Sequence, residues 1–159
     1  MALPKAPLRE VITIDGVNVE LEMKSNPIEN LGVLKAKELF HYLSIFDAKY
    51  QPSNYNKADG SPLRLFDSPS CKIDVSKRSK EDMGFWHRNV DFHEVIICVR
   101  GALRWETEMG TVVLKEGELI VIPKGITHRS MLCEDSTDDN VLIELKIADD
   151  LTYVGDDRK

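Results

Sequence analysis

His87, His93, Glu94 and His128 are the side chains of this sequence whose types and spacing suit chemistry at a metal ion. Imidazole nitrogens and a carboxylate oxygen ligate divalent transition metals well. Two histidines and one carboxylate on one face leave coordination positions open, the usual arrangement for non-haem Fe(II) oxygen chemistry, and other divalent metals fit the same ligand types. His87 precedes a strand-like run from 93 to 100, and His128 follows the turn at Pro123-Lys124-Gly125 on a later run. A rolled sheet therefore brings two imidazoles and one carboxylate together. Spacing alone leaves the third ligand open, because successive side chains of a strand point to opposite faces. A chain running straight from His87 puts Asn89, Asp91 and His93 on its face, giving a neutral three-histidine site. A turn or bulge between Asn89 and His93 flips the phase and brings Glu94 inward with Ile96 and Cys98. Asn89 is placed either to orient His87 or to cap that turn.

The elements that position these residues are short strands. Met109-Gly110, Glu116-Gly117 and Lys124-Gly125 punctuate runs at 93–100, 102–108, 111–114, 118–122, 129–133 and 141–147. Upstream, Cys71, Ile73 and Val75 alternate with Lys72, Asp74 and Ser76 as in a half-buried strand. Residues 11–23 form two strand-like runs around Asp15-Gly16, a hairpin signal, and Ala36, Leu39, Phe40 and Leu43 recur at helical spacing, predicting a few turns of amphipathic helix. His41 falls off that apolar face and reads as a surface residue. The polar stretch 51–62 is a loop or lid. Many short strands, glycine turns and one helix predict an antiparallel sandwich or barrel of the jelly-roll type.

Composition narrows the function classes. At 159 residues the chain fits one domain, with the barrel at about 71–147 and the hairpin and helix at 11–46. Its 21 Lys and Arg against 27 Asp and Glu give a net charge of −6, which argues against nucleic acid or an anionic membrane as partner. No apolar run approaches a membrane span, and the N-terminal residues have no apolar signal core, so a cytoplasmic protein is expected. Cys71, Cys98 and Cys133 are odd in number and widely spaced, against a disulfide framework, and Cys98 inside an apolar run reads as a small buried hydrophobe. Trp86 and Trp105 are candidates for an aromatic pocket or the core. Arg88, Arg104 and Arg129 are candidates for a substrate carboxylate or for solvated surface.

Two spacings lie together in the second half: His87-x-Asn89-x4-Glu94-x6-Gly101, then Gly117-x5-Pro123-x-Gly125-x2-His128. They resemble the two signature motifs of the cupin superfamily, G-x5-H-x-H-x4-E-x6-G and G-x5-P-x-G-x2-H-x3-N. The second motif matches through its histidine, with Leu132 at the final position. The first keeps one His, the Glu and the closing Gly, with Asn89 at the second His and Glu81 at the leading Gly. The segment Phe85-Trp86-His87-Arg88-Asn89-Val90 also resembles the His-Arg-Asn segment of homogentisate dioxygenases and their small cupin relatives. The resemblance implies an all-β, cupin-type double-stranded β-helix with an N-terminal hairpin and one short helix. It further implies a metal-dependent, Fe(II) oxygenase acting on a small aromatic or other organic acid. His87, Glu94 and His128 would be its ligands, with His93 the alternative to Glu94. Counting as in the dioxygenases, five residues after His87 lead to His93, whereas the cupin motif selects Glu94. The same fold also serves as a ligand-binding module without catalysis or as a metal-assisted isomerase or lyase. Cupin relatives commonly pair, so a homodimer beginning at the segment 11–14 is expected.

Overall fold

A computed structural model describes residues 8–23, 32–53, 55, 61–79 and 85–155. They fall into two compact units, Met1–Leu43 and Ser44–Lys159. In the first, β1 (Leu8–Ile14) and β2 (Val17–Met23) pair antiparallel, with Ile14 opposite Val17. Asp15 and Gly16 both take positive φ, 48° and 80°, as the two-residue turn requires. The expected amphipathic helix is shorter than its periodicity implied. One turn, α1 (Val33–Ala36), is followed by a 3₁₀ turn at Lys37–Leu39, and the chain is extended at Phe40. Among the described residues its apolar side chains are left largely exposed, Leu34 at 87% and Phe40 at 83%. A helix this short gains little from propensity and depends on packing, so without a buried face it ends early.

Among the described residues the second unit holds eight strands in two antiparallel sheets. β3 (Leu63–Asp67), β4 (Cys71–Arg78), β5 (His93–Arg100), β8 (Leu119–Ile122) and β10 (Asn140–Ile147) form one sheet in the order β3-β4-β10-β5-β8. β6 (Ala102–Thr107), β7 (Gly110–Lys115) and β9 (His128–Met131) form the other, in the order β7-β6-β9. The predicted strands are present with ends shifted by a residue or two; β3 is an addition the sequence reading did not contain. The core comprises Ile96, Cys98, Leu103, Trp105, Leu114, Ile122 and Leu142, so Cys98 is the buried small hydrophobe expected.

Register places one face of the larger sheet in layers. Cys98 lies opposite Leu142, Ile96 opposite Glu144 and Glu94 opposite Lys146, with Asp74 opposite Glu144 on the other side. The face is apolar at the Cys98 end and charged at the Glu94 end. Where Cys71, Ile73 and Val75 predicted a strand with one buried face, both faces of β4 are covered: Val75, Asp74, Ser76 and Lys77 are all at most 3% exposed. Among the described residues no helix is long and apolar enough to cross a membrane.

Candidate metal centre

The charged end of this face receives the chemistry-bearing residues. His87 forms an isolated antiparallel bridge with His128, its N–H donating to the His128 carbonyl at 3.0 Å and its carbonyl accepting the His128 N–H at 2.9 Å. The rings meet edge to face with centroids 4.4 Å apart. His128 opens β9 and is 1% exposed. Glu94 arrives from β5 because the chain turns between Asn89 and His93. There the Asn89 Oδ1 accepts the N–H groups of Asp91 and Phe92 at 3.2 and 3.1 Å, while its Nδ2 donates to Glu94 Oε1 at 3.3 Å. The Asn89 carbonyl accepts the Gly125 N–H at 2.6 Å, at the turn where Gly125 takes φ 88°. That turn flips the strand phase. His87, Glu94 and His128 then offer one ligand atom each, all within 4.8 Å of one another. His93 does not join them: it lies on the opposite face of β5, where its Nδ1 accepts the Lys124 N–H at 3.2 Å.

The donor set is oriented for a cation. His87 Nδ1 lies 3.2 Å from the Phe85 carbonyl and His128 Nδ1 2.9 Å from the Ile126 carbonyl. Carbonyls only accept, so each Nδ1 carries the hydrogen and each neutral ring keeps its lone pair on Nε2. His128 Nε2 sits 2.9 Å from Glu94 Oε2 yet makes no aligned hydrogen bond. Two lone-pair atoms that close repel unless a proton or a metal lies between them. Neighbouring ligands about 2.1 Å from a transition metal and about 90° apart are separated by about 3 Å, so the spacing fits an ion bound to both. Without an ion, the same closeness draws a proton toward the pair. Burial would raise the Glu94 carboxyl, but His128, the Asn89 hydrogen bond and Lys146 outweigh it and the pKa falls below the ordinary value. Burial would lower His128, but the Glu94 carboxylate overrides it and the pKa rises. His87 is the exposed member of the three, though desolvation by the surrounding protein still lowers its pKa.

The centre lies on a cavity of about 390 Å³, lined among others by Phe85, Arg88, Trp105, Ser130, Glu144 and Lys146. Trp105 is core and cavity wall at once, 4% exposed. Trp86 is turned to other work: the Arg129 guanidinium stacks over its ring at 4.7 Å and pairs with Glu106 at 2.7 Å. Arg104 also pairs with Glu106, so of the three candidate arginines only Arg88 faces the cavity.

The fold of the second unit is shared with solved structures. The cupin domain of Schizosaccharomyces pombe Cnp3 superposes with a TM-score of 0.50 at 13% identity, covering 55% of this chain and 60% of that one. This chain has a cupin fold. A Rhizobium leguminosarum protein of unknown function superposes with a TM-score of 0.52 at 16% identity, covering 69% of this chain and 98% of that one. At these identities the likeness concerns the cupin fold alone. Residues 71–131 match the family described as AraC-like ligand binding domain. A curated Saccharolobus solfataricus protein named "Putative dioxygenase SSO1533" is 34% identical over 107 residues, 67% of this chain and 26% of its own length. The chain thus spans about a quarter of that relative's length.

Sequence reading missed Asp74, Glu144 and Lys146. The run 141–147 reads as a strand with no face assigned to Glu144 or Lys146. The signal available was a second charged series, Lys72 and Asp74 on β4, that the same pairing brings beside them.

Proposed function

We propose that this cupin binds one divalent transition metal, Fe(II) foremost, through His87, Glu94 and His128, and serves as an oxygenase for a small aromatic or other organic acid. The observation that carries the reading is the pair His128 Nε2 and Glu94 Oε2, 2.9 Å apart and unaligned for a hydrogen bond, with the opposite ring nitrogen tied to a carbonyl. Bound there, such an ion supplies Lewis acidity and a one-electron couple suited to O₂ chemistry. The protein's own contribution is positional. Carbonyls of Phe85 and Ile126 fix the two rings, Asn89 fixes the carboxylate, and the core beneath keeps water from one side of the centre. Arg88 and Lys146 give the cavity positive charge for an acid, while Phe85 and Trp105 give it aromatic walls. Similarity to a protein named a dioxygenase supports the oxygenase class. The match of residues 71–131 to a ligand-binding family favours a second reading, a binding module without turnover.

Elemental analysis after reconstitution with Fe, Mn, Ni or Zn tests the centre. About one metal per chain is expected, abolished by His128→Ala. Oxygen uptake by the iron-loaded protein with a panel of aromatic and aliphatic acids then separates the two readings: uptake marks the oxygenase, and metal without uptake marks the binding module. A chain that takes up no metal overturns both forms of the metal reading.

A further inference from the structure

Glu144 is a buried acid on the cavity wall that the metal centre does not employ and whose one ion pair is long. It is 7% exposed and lies on β10 between Asp74 of β4 and Ile96 of β5. Among the described residues no hydrogen bond reaches its carboxyl. Its nearest cation, Lys146, stands 3.8 Å away and is already bonded to Asp74 at 2.8 Å. The Asp74 carboxylate holds Arg64 as well. The ionisable groups facing Glu144 are Asp74 and Arg78 from β4, Lys146 from its own strand, Glu94 from β5 and His128 from β9. A carboxylate buried here would have no hydrogen-bond donor among the described residues, and its cations, Lys146 shared with Asp74 and Arg78 on β4, act against the larger cost of burial while two other acids stand near. A neutral carboxyl instead carries an O–H that no described residue accepts, on the wall of the cavity that holds the centre.

We propose that Glu144 keeps a proton and donates a hydrogen bond to an anionic oxygen of the molecule bound beside His87, Glu94 and His128. The ligand class is accordingly a small molecule with an oxyanion, such as a carboxylate, phenolate or enolate. This rests on the metal-centre reading for where the ligand sits. Burial pushes the Glu144 carboxyl above the ordinary range; Lys146 and Arg78 oppose the shift, and Glu94 and Asp74 reinforce it. A neutral carboxyl that donates to a charged oxygen makes one of the stronger hydrogen bonds, and it does so without repelling an anionic ligand.

The test uses two isosteric changes, Glu144→Gln, which keeps a donor, and Glu144→Met, which does not. Infrared difference spectroscopy of wild type against Glu144→Gln at neutral pH should show the carbonyl stretch of a neutral carboxylic acid. Absence of that band overturns the proposal, whatever the metal content. Cobalt(II)-loaded protein is then titrated with acetohydroxamate, a small oxygen chelator, and followed by its visible bands. Glu144→Met should bind it about tenfold or more weakly with cobalt content unchanged, and Glu144→Gln within about threefold of wild type. Equal affinity in Glu144→Met and wild type, or no uptake of the probe by cobalt-loaded wild type, overturns the proposal. Failure of wild type to take cobalt at all sinks the metal-centre reading instead, and the infrared band alone then decides whether Glu144 holds the proton. If Glu144→Met does not fold, the band and the Gln variant decide.

Discussion

Replacing Asn89 by Ala removes three hydrogen bonds at the turn that determines which face of β5 meets the centre. Two of them hold the turn, from the N–H groups of Asp91 and Phe92 at 3.2 and 3.1 Å; the third, 3.3 Å long, holds Glu94 Oε1. Asp91 is exposed, so water replaces its lost partner and the folding cost stays near 1–2 kcal/mol, about that of one capping side chain. The effect on metal should be larger in proportion. A group that orients a ligand is commonly worth about 10–100-fold in metal affinity, or about 1.4–2.7 kcal/mol. Asn89→Ser offers an oxygen to the turn but is too short to reach Glu94. It should therefore recover most of the stability and little of the metal affinity. Denaturant unfolding and competition against a metal-binding dye measure the two quantities separately. Wild-type metal affinity in Asn89→Ala would refute the claim that this side chain sets the carboxylate. So would a Ser variant that regained affinity and stability in parallel.

The strand phase itself is checked by metal content in single variants: Glu94→Ala should lose the metal and His93→Ala keep it, and the reverse pattern would place the ligands on the other face of β5. Gly101→Ala should destabilise the fold by about 2–4 kcal/mol in urea unfolding, because φ there is 77° and a Cβ would run into the Asn140 Oδ1, which accepts the Ala102 and Thr137 N–H groups. Asp74 titrates below the ordinary 3.8, since its ion pairs with Arg64 and Lys146 outweigh the opposing effect of burial. Its stabilisation is full above that value and drains as pH falls from 3.8 toward the lower folded pKa. Asp74→Asn should accordingly flatten the acid limb of a stability-against-pH curve, and an unchanged limb would show that the pair contributes nothing.

Sequence patterns located this fold well where local chemistry decides structure, and less well where packing does. The Asp15-Gly16 hairpin and the strand from His93 to Arg100 follow from turn residues and alternation, which act over a few residues. Two histidines and a glutamate could be named together because the two cupin-like spacings carry them and the glycine turn before His128 puts it on a later strand. Choosing between His93 and Glu94 required more than alternation, because the apolar residues after Glu94 suit either face; the deciding element was Asn89, whose side chain closes the turn and holds the carboxylate together. The helix near Ala36 had the right period but no buried surface to receive it, so periodicity overstated its length. Glu144 and Lys146 were invisible for a related reason. In a strand covered on both faces, a charged series looks like the solvent side until the partner strands are known, and here register puts Asp74 and Glu94 beside it. The residues that shape the ligand's surroundings thus come from strands far apart in the chain, and only closure of the two sheets turns a pair of acids and a lysine into the wall of one cavity.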